Sequence, residues 1–252
     1  MTHRRDPTTE RVHVEICTGD LESAIAAAEG GADRVELCDN LLVGGTTPSA
    51  GAIAEACRRI TIPVHVLIRP RAGDFLPSPA EIAAMRHDIE TAKRLGASGV
   101  VLGLLRTDGT IDADATARLC DLARPLSVTF HKAFDQVPDP DEALETLISL
   151  GVDRLLTSGC RPSAMEGRPV LRRLVEQSRG RIAILAGGHL TWENLPAVIA
   201  ETSVREVHLG SAVTRVMASA MTHSPADGSS LSWNQVDPER VRAIVRRTSE
   251  RG

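Results

Sequence analysis

One short pattern recurs along this chain and limits what it can fold into. Gly31-Ala32-Asp33-Arg34-Val35, Gly96-Ala97-Ser98-Gly99-Val100 and Gly151-Val152-Asp153-Arg154-Leu155 each put a glycine, a small or apolar residue and a polar residue directly before an apolar run. Thr202-Ser203-Val204-Arg205-Glu206-Val207 is a degenerate fourth copy. A glycine so placed ends a helix, and the run that follows reads as a strand. The copies stand about 52 to 65 residues apart, room for two strand–helix units each. Eight strands are predicted at Val12–Cys17, Arg34–Cys38, Val64–Ile68, Gly99–Leu102, Ser127–Phe130, Arg154–Thr157, Ile182–Ala186 and Glu206–Leu209. Helices between them announce their starts. Ser78-Pro79-Ala80-Glu81 is a capping box with proline at the first helical position, and Asp139-Pro140 and Asp237-Pro238 repeat the device. The expected fold is α/β: a single (β/α)8 TIM barrel with an extra C-terminal helix, a doubly wound open sheet being the alternative. Met221–Gln235, rich in Ser, Gly and Pro, reads as a mobile surface loop before that last helix.

The chain has 252 residues, 42% of them hydrophobic, enough to bury a large core without disulfide staples. Its 29 basic and 33 acidic residues form no basic run, and it has two tryptophans and three phenylalanines, which argues against a nucleic-acid partner. Residues 1–11 read as a flexible polar tail without the apolar segment of a secretory signal, leaving 12–252 as the barrel domain. No apolar stretch approaches the roughly 18 residues of a membrane span. Cys17, Cys38, Cys57, Cys120 and Cys160 are odd in number and contain no Cys-x-x-Cys pair, which fits reduced thiols in the cytoplasm.

In such a barrel the functional residues lie at the C-terminal ends of strands. The first two strands end in the same pattern, Glu15-Ile16-Cys17 and Glu36-Leu37-Cys38. Alternation puts each Glu on the same face as its Cys. If the strands are parallel neighbours, two carboxylates and two thiols converge. The thiols suit a soft ion such as Cu(I), could form a disulfide, or could simply fill space as most free cysteines do. Glu15 and Glu36 could act as general acid and base, one raising the pKa of the other, or belong to a buried charge network with Arg69. Arg69 could equally hold an anionic ligand. Arg71 and Asp74 follow it in the loop. His131 is a candidate base or ligand, and His208 raises the same question. Gly187-Gly188 and Gly210-Ser211 follow strands seven and eight, where backbone N–H groups and a helix start would cradle an anion, or where glycines only make tight turns. Lys132 follows His131 directly and so starts on the opposite side, which argues against a Schiff base in the barrel.

Taken together these stretches resemble the CutC family of copper homeostasis proteins. The resemblance rests on Glu15-Ile16-Cys17, Gly30 through Cys38, Gly44-Gly45-Thr46-Thr47-Pro48-Ser49, Ile68-Arg69-Pro70-Arg71, Gly73-Asp74-Phe75, Thr129-Phe130-His131, Ala133-Phe134-Asp135 and Leu156-Thr157-Ser158-Gly159. It runs from about Val14 to Ala212. It implies a (β/α)8 barrel, a cytoplasmic homo-oligomer, in the simplest case a homodimer, and copper as the partner. It also implies that Cys17 and Cys38 are Cu(I) ligands. Two departures stand out. His189 occupies the place of a third glycine after strand seven, where it would narrow the anion cradle or add a donor, and Lys132 stands where an arginine is common. Nothing carries over beyond Met217.

Two functions from different classes remain. One is copper binding and handling through Cys17 and Cys38. The other is a lyase, isomerase or hydrolase acting on a small phosphorylated or carboxylated metabolite. There Glu15, Glu36, Arg69, Asp74 and His131 would be catalytic, and Arg69, Arg71, Gly187, Gly188, Gly210 and Ser211 would hold the anion. The glutamates are expected to lie one layer deeper than the thiols and to face the pocket with Arg69.

Overall fold

A computed structural model describes residues 11–219 and 232–249. Eight parallel strands, β1 (His13–Thr18), β2 (Arg34–Leu37), β3 (Val64–Leu67), β4 (Gly99–Leu102), β5 (Ser127–Phe130), β6 (Arg154–Thr157), β7 (Ala183–Gly187) and β8 (Glu206–Leu209), pair in chain order and close into a barrel, β8 beside β1. Around them run α1 (Leu21–Glu29), α2 (Ala50–Arg59), α3 (Pro79–Arg94), α4 (Ala113–Ala123), α5 (Pro140–Ser149), α6 (Arg168–Ser178) and α7 (Leu195–Thr202). The C-terminal helix α8 (Pro238–Ser249) packs on α1 and β1, Val241 seated against Gly30. Among the described residues no helix is long and apolar enough to cross a membrane.

The start and stop signals act as the sequence implies. Ser78 Oγ accepts from Glu81 N at 3.3 Å while Glu81 Oε2 accepts from Ser78 N at 2.7 Å, so two free helix-end donors are satisfied reciprocally. Asp139 Oδ1 accepts from the N–H groups of Asp141 and Glu142. In the recurring helix-to-strand pattern Gly31, Gly96 and Gly151 all take positive φ (86°, 92° and 69°), the left-handed turn that a side chain resists. Ser203 adopts the same conformation in the degenerate copy, at φ 61°.

Strand residues divide by parity. Outward-facing Val14, Ile16, Val35, Leu37, Val66, Val100, Leu102, Val128, Phe130 and Leu155 pack with the helices in the main apolar core. The inward face is different. It carries Glu15, Arg34, Glu36, His65, Thr129, Arg154 and Glu206, with a small apolar cluster of Cys38, Leu67 and Val101 touching Cys17. Strand β4 offers this lumen Val101 flanked by two glycines, Gly99 before it and Gly103 after it. A Cβ on Gly99 would come within 2.6 Å of the His65 ring, and one on Gly103 within 2.4 Å of the His131 ring. These glycines make room for two imidazoles.

Two local expectations change. Gly210-Ser211 opens a three-residue 3-10 turn, Ser211–Val213, and the chain then enters a hairpin rather than a helix. That hairpin pairs β9 (Thr214–Ala218) antiparallel with β10 (Ser232–Val236), so the last four positions of the expected loop Met221–Gln235 are strand. Positions 221–231 of that loop, and 1–10 of the expected tail, lie outside the described residues. Arg11 pairs with Asp33.

Candidate metal centre

Closing a barrel requires strands to slip past one another, and that slip rearranges the paired Glu-x-Cys ends. The Cα partner of Glu15 is Arg34, and the partner of Cys17 is Glu36. The glutamates therefore do not form one layer below a layer of thiols. Glu36 stands level with Cys17, and Cys38 is one step above.

Glu15 is at the bottom of the site, its side chain 1% exposed. Arg34 Nε donates to one of its oxygens, and His208 Nδ1 lies 2.7 Å from the other. Arg34 also donates to Glu206 at 2.6 Å, Arg154 donates to the same Glu206 oxygen at 2.8 Å, and Arg154 donates to Ser127 Oγ at 2.7 Å. Burial alone would raise the Glu15 carboxyl, but Arg34 and His208 together hold it well below the usual carboxylate range. Burial opposes charge on His208 as well. Its neighbours Cys17, Glu15 and Glu36 overcome that and push its pKa well up, favouring the imidazolium.

Above this ladder are the thiols. Cys17 Sγ and Cys38 Sγ are 3.9 Å apart, both free. The hydrogen bond from Cys38 brings the Cys17 thiol down to about 5 against the effect of burial, with His208 assisting. Cys38 goes the other way, pushed up by the shared hydrogen bond and by burial, and keeps its proton. Burial and the adjacent Cys17 thiolate push Glu36 well above the carboxylate range. Its Oε2 lies 3.7 Å from His208 Nε2. Sulfur, sulfur and carboxylate oxygen all fall within 4.8 Å of one another. Arg34, Arg154 and His208 thus face Glu15, Glu206 and Cys17 in a largely buried lumen.

The other residues singled out by sequence are dispersed. Arg69 is buried, but its guanidinium is spent on backbone carbonyls: Nη1 donates to Val43 (3.1 Å) and Gly45 (2.7 Å), Nη2 to Gly73 (2.9 Å). It also lies over the Phe75 ring, 5.1 Å from its centroid. Arg69 clamps the loops after β2 and β3 together, and the carboxylate neutraliser is Arg34 instead. Arg71 is held by Asp74 and Glu81 at 2.8 and 2.6 Å in an exposed loop, so Asp74 is not at the thiol site. His131 is buried beside Phe75, its Nδ1 accepting from Ala133 N at 3.1 Å. Burial and then the charge of Arg69 bring its pKa down to about 3, leaving a neutral ring.

Gly187 and Gly188 make the turn after β7. Gly188 faces Ser158 and the Lys132 ammonium, and Gly210 lies against Cys17. Lys132 is partly exposed and pairs with Asp135 at 3.6 Å. His189 has φ 51°, which accounts for a glycine preference at this position, and the residue is exposed.

Arg34, Arg154, Glu206 and the two small positions Gly99 and Gly103 are the site residues that sequence reading missed. Alternation supplies the signal for the first: Arg34 shares a face with Glu36 and Cys38.

Comparison with known proteins identifies the family and the fold. The sequence profile of the CutC family matches residues 12–213. The human protein named copper homeostasis protein cutC homolog is 48% identical over 237 residues, covering 92% of this chain and 87% of its own. A CutC family protein of Chromobacterium violaceum is 50% identical over 210 residues, covering 83% and 84%. The crystal structure of a CutC protein from Streptococcus agalactiae superposes with a TM-score of 0.75 at 37% identity, covering 79% of this chain and 98% of the other. Phosphoribosyl anthranilate isomerase from Thermococcus kodakaraensis shares the fold alone, with a TM-score of 0.61 at 19% identity and coverage of 96% and 100%. On profile, identity and fold alike, this chain belongs to the CutC family.

Proposed function

We propose that this chain serves copper homeostasis by binding Cu(I) directly between Cys17 and Cys38. The observation that carries the reading is the thiol pair, 3.9 Å apart on neighbouring strands, where the hydrogen bond from Cys38 favours the thiolate form of Cys17. Thiolates are the soft donors that Cu(I) selects. The copper-related names of the relatives support the same reading. Five free cysteines fit a reducing cytoplasm. A homodimer is supported by the apolar tip Leu41-Leu42-Val43 beside the site, where Leu42 is 97% exposed. Anaerobic Cu(I) titration against a competing chromophoric chelator tests the binding. One ion per chain is expected, lost in the Cys17→Ser, Cys38→Ser double variant. Equal affinity in that variant would sink the reading. Light scattering of wild type and Leu42→Lys tests the assembly.

A second reading has one specific observation behind it. Glu15 is driven down and Glu36 up, with His208 between them, the split in proton affinity expected of an acid–base pair. On this reading Glu36 gives a proton to a small anionic metabolite seated over Gly188 and Lys132. Arg69 and Arg71, already engaged, would have to be replaced as anion holders by backbone N–H groups and Lys132. A thermal-shift screen of phosphorylated and carboxylated metabolites tests it, and no stabilisation by any of them counts against it.

A further inference from the structure

The separation of the two sulfurs says more than that they can share an ion. A metal–thiolate bond of about 2.3 Å would place two sulfurs in line with the ion about 4.6 Å apart. Here they are 3.9 Å apart, which corresponds to a sulfur–metal–sulfur angle of roughly 115°. The thiols have little freedom to spread. They pack against Leu67 and Val101, and the Gly45 backbone crosses so closely that a Cβ there would stand 3.5 Å from Cys38 Sγ and 2.8 Å from Leu67. A bent pair leaves an unfilled direction at the ion, and one ionisable oxygen ligand is within reach. Glu36 is buried, level with Cys17 on the next strand, and its carboxylate belongs to the same group of mutually close donor atoms.

We infer that Glu36 is the third ligand, and that the site takes a divalent, borderline-soft cation such as Zn2+ as well as Cu(I). This rests on the reading of the thiol pair as a metal site. Two thiolates and a carboxylate carry three negative charges, which a divalent ion neutralises further than a monovalent one. A carboxylate oxygen is also an ordinary zinc ligand and a poor match for Cu(I). Glu36 therefore sets which ion is held, while Cys17 and Cys38 set that one is held at all.

The test compares Zn2+ alone and Cu(I) alone on wild type, Glu36→Gln and the double serine variant, each by chelator competition. X-ray absorption of the zinc-loaded wild type reads the donor atoms. The expected result is one Zn2+ per chain with two sulfurs and an oxygen in its first shell. Glu36→Gln should weaken Zn2+ by at least the roughly 10- to 100-fold that losing even an outer-shell partner costs. Its Cu(I) affinity should change far less. Undiminished Zn2+ affinity in Glu36→Gln, or no Zn2+ binding by wild type, overturns the inference. If Glu36→Gln gives no cooperative melt, Glu36→Leu, which also removes the carboxylate, takes its place, and unchanged Zn2+ affinity there is equally fatal. Zn2+ binding that depends on Glu36 without any Cu(I) binding would refute the copper reading while leaving Glu36 as the third zinc ligand.

Discussion

Replacing Arg34 with methionine removes the guanidinium that bridges Glu15 and Glu206. The guanidinium is 7% exposed and its partners 1% and 13%, so water does not take its place. Glu206 retains Arg154, and Glu15 retains the hydrogen bond with His208. Taking one partner from a buried ion pair costs about 3–5 kcal/mol, because the remaining charge is stranded. For a chain of this length 1 kcal/mol corresponds to about 2–4 °C in Tm, so a drop of about 6–20 °C is expected. The assay is thermal and urea unfolding followed by circular dichroism at neutral pH. Glu15→Gln and the double variant Glu15→Gln, Arg34→Met complete a cycle. The double variant should be less damaged than the two single losses added together, by about 0.5–3 kcal/mol, since neutral glutamine does not need the guanidinium. A drop of less than about 1 kcal/mol for Arg34→Met, or strict additivity in the cycle, would show that this ladder does not hold the lumen together.

Stability should also fall in mild acid. His131 and His65 are brought down to about 3 and about 4, chiefly by burial, from about 6.5 in the unfolded chain. Between those limits the unfolded state binds more protons, so stability is full above about pH 6.5 and declines as pH falls toward the folded values. Each ring contributes a loss of about 2 kcal/mol by pH 5, and His131→Asn, which keeps the acceptor to Ala133, should flatten the profile on urea titration. Gly103→Ala drives a methyl into the His131 ring and should cost about 1–3 kcal/mol, read as a lower urea midpoint with unchanged slope. Asp135→Ala leaves Thr157, Ser158 and the Cys160 N–H without their shared acceptor. It should destabilise by about 1–3 kcal/mol in the same assay.

The barrel was legible because its outward strand faces are apolar and its helix starts are spelled out by Ser78, Asp139 and Asp237. Strand β10 was not. Ser232-Trp233-Asn234-Gln235 is polar because it pairs only with β9 and its first three residues are exposed, so it carries no core pattern. At the site, alternation correctly grouped Glu15 with Cys17 and Glu36 with Cys38. It is silent on the slip between strands, which is a property of closure and not of either segment. That slip placed Arg34 against Glu15 and freed Arg69 for the loop carbonyls.

The ladder has a consequence for how the chain is made. Its members come from β1, β2, β6 and β8, from Glu15 to Glu206, and it spans the seam where the first and last barrel strands meet. A nascent chain that has emerged only through β5 presents Arg34 with Glu15 but without Glu206 and Arg154. Half-barrel fragments therefore carry an uncompleted charge set on the face they must bury. Assembly is rewarded late, when β8 arrives and fastens the circle.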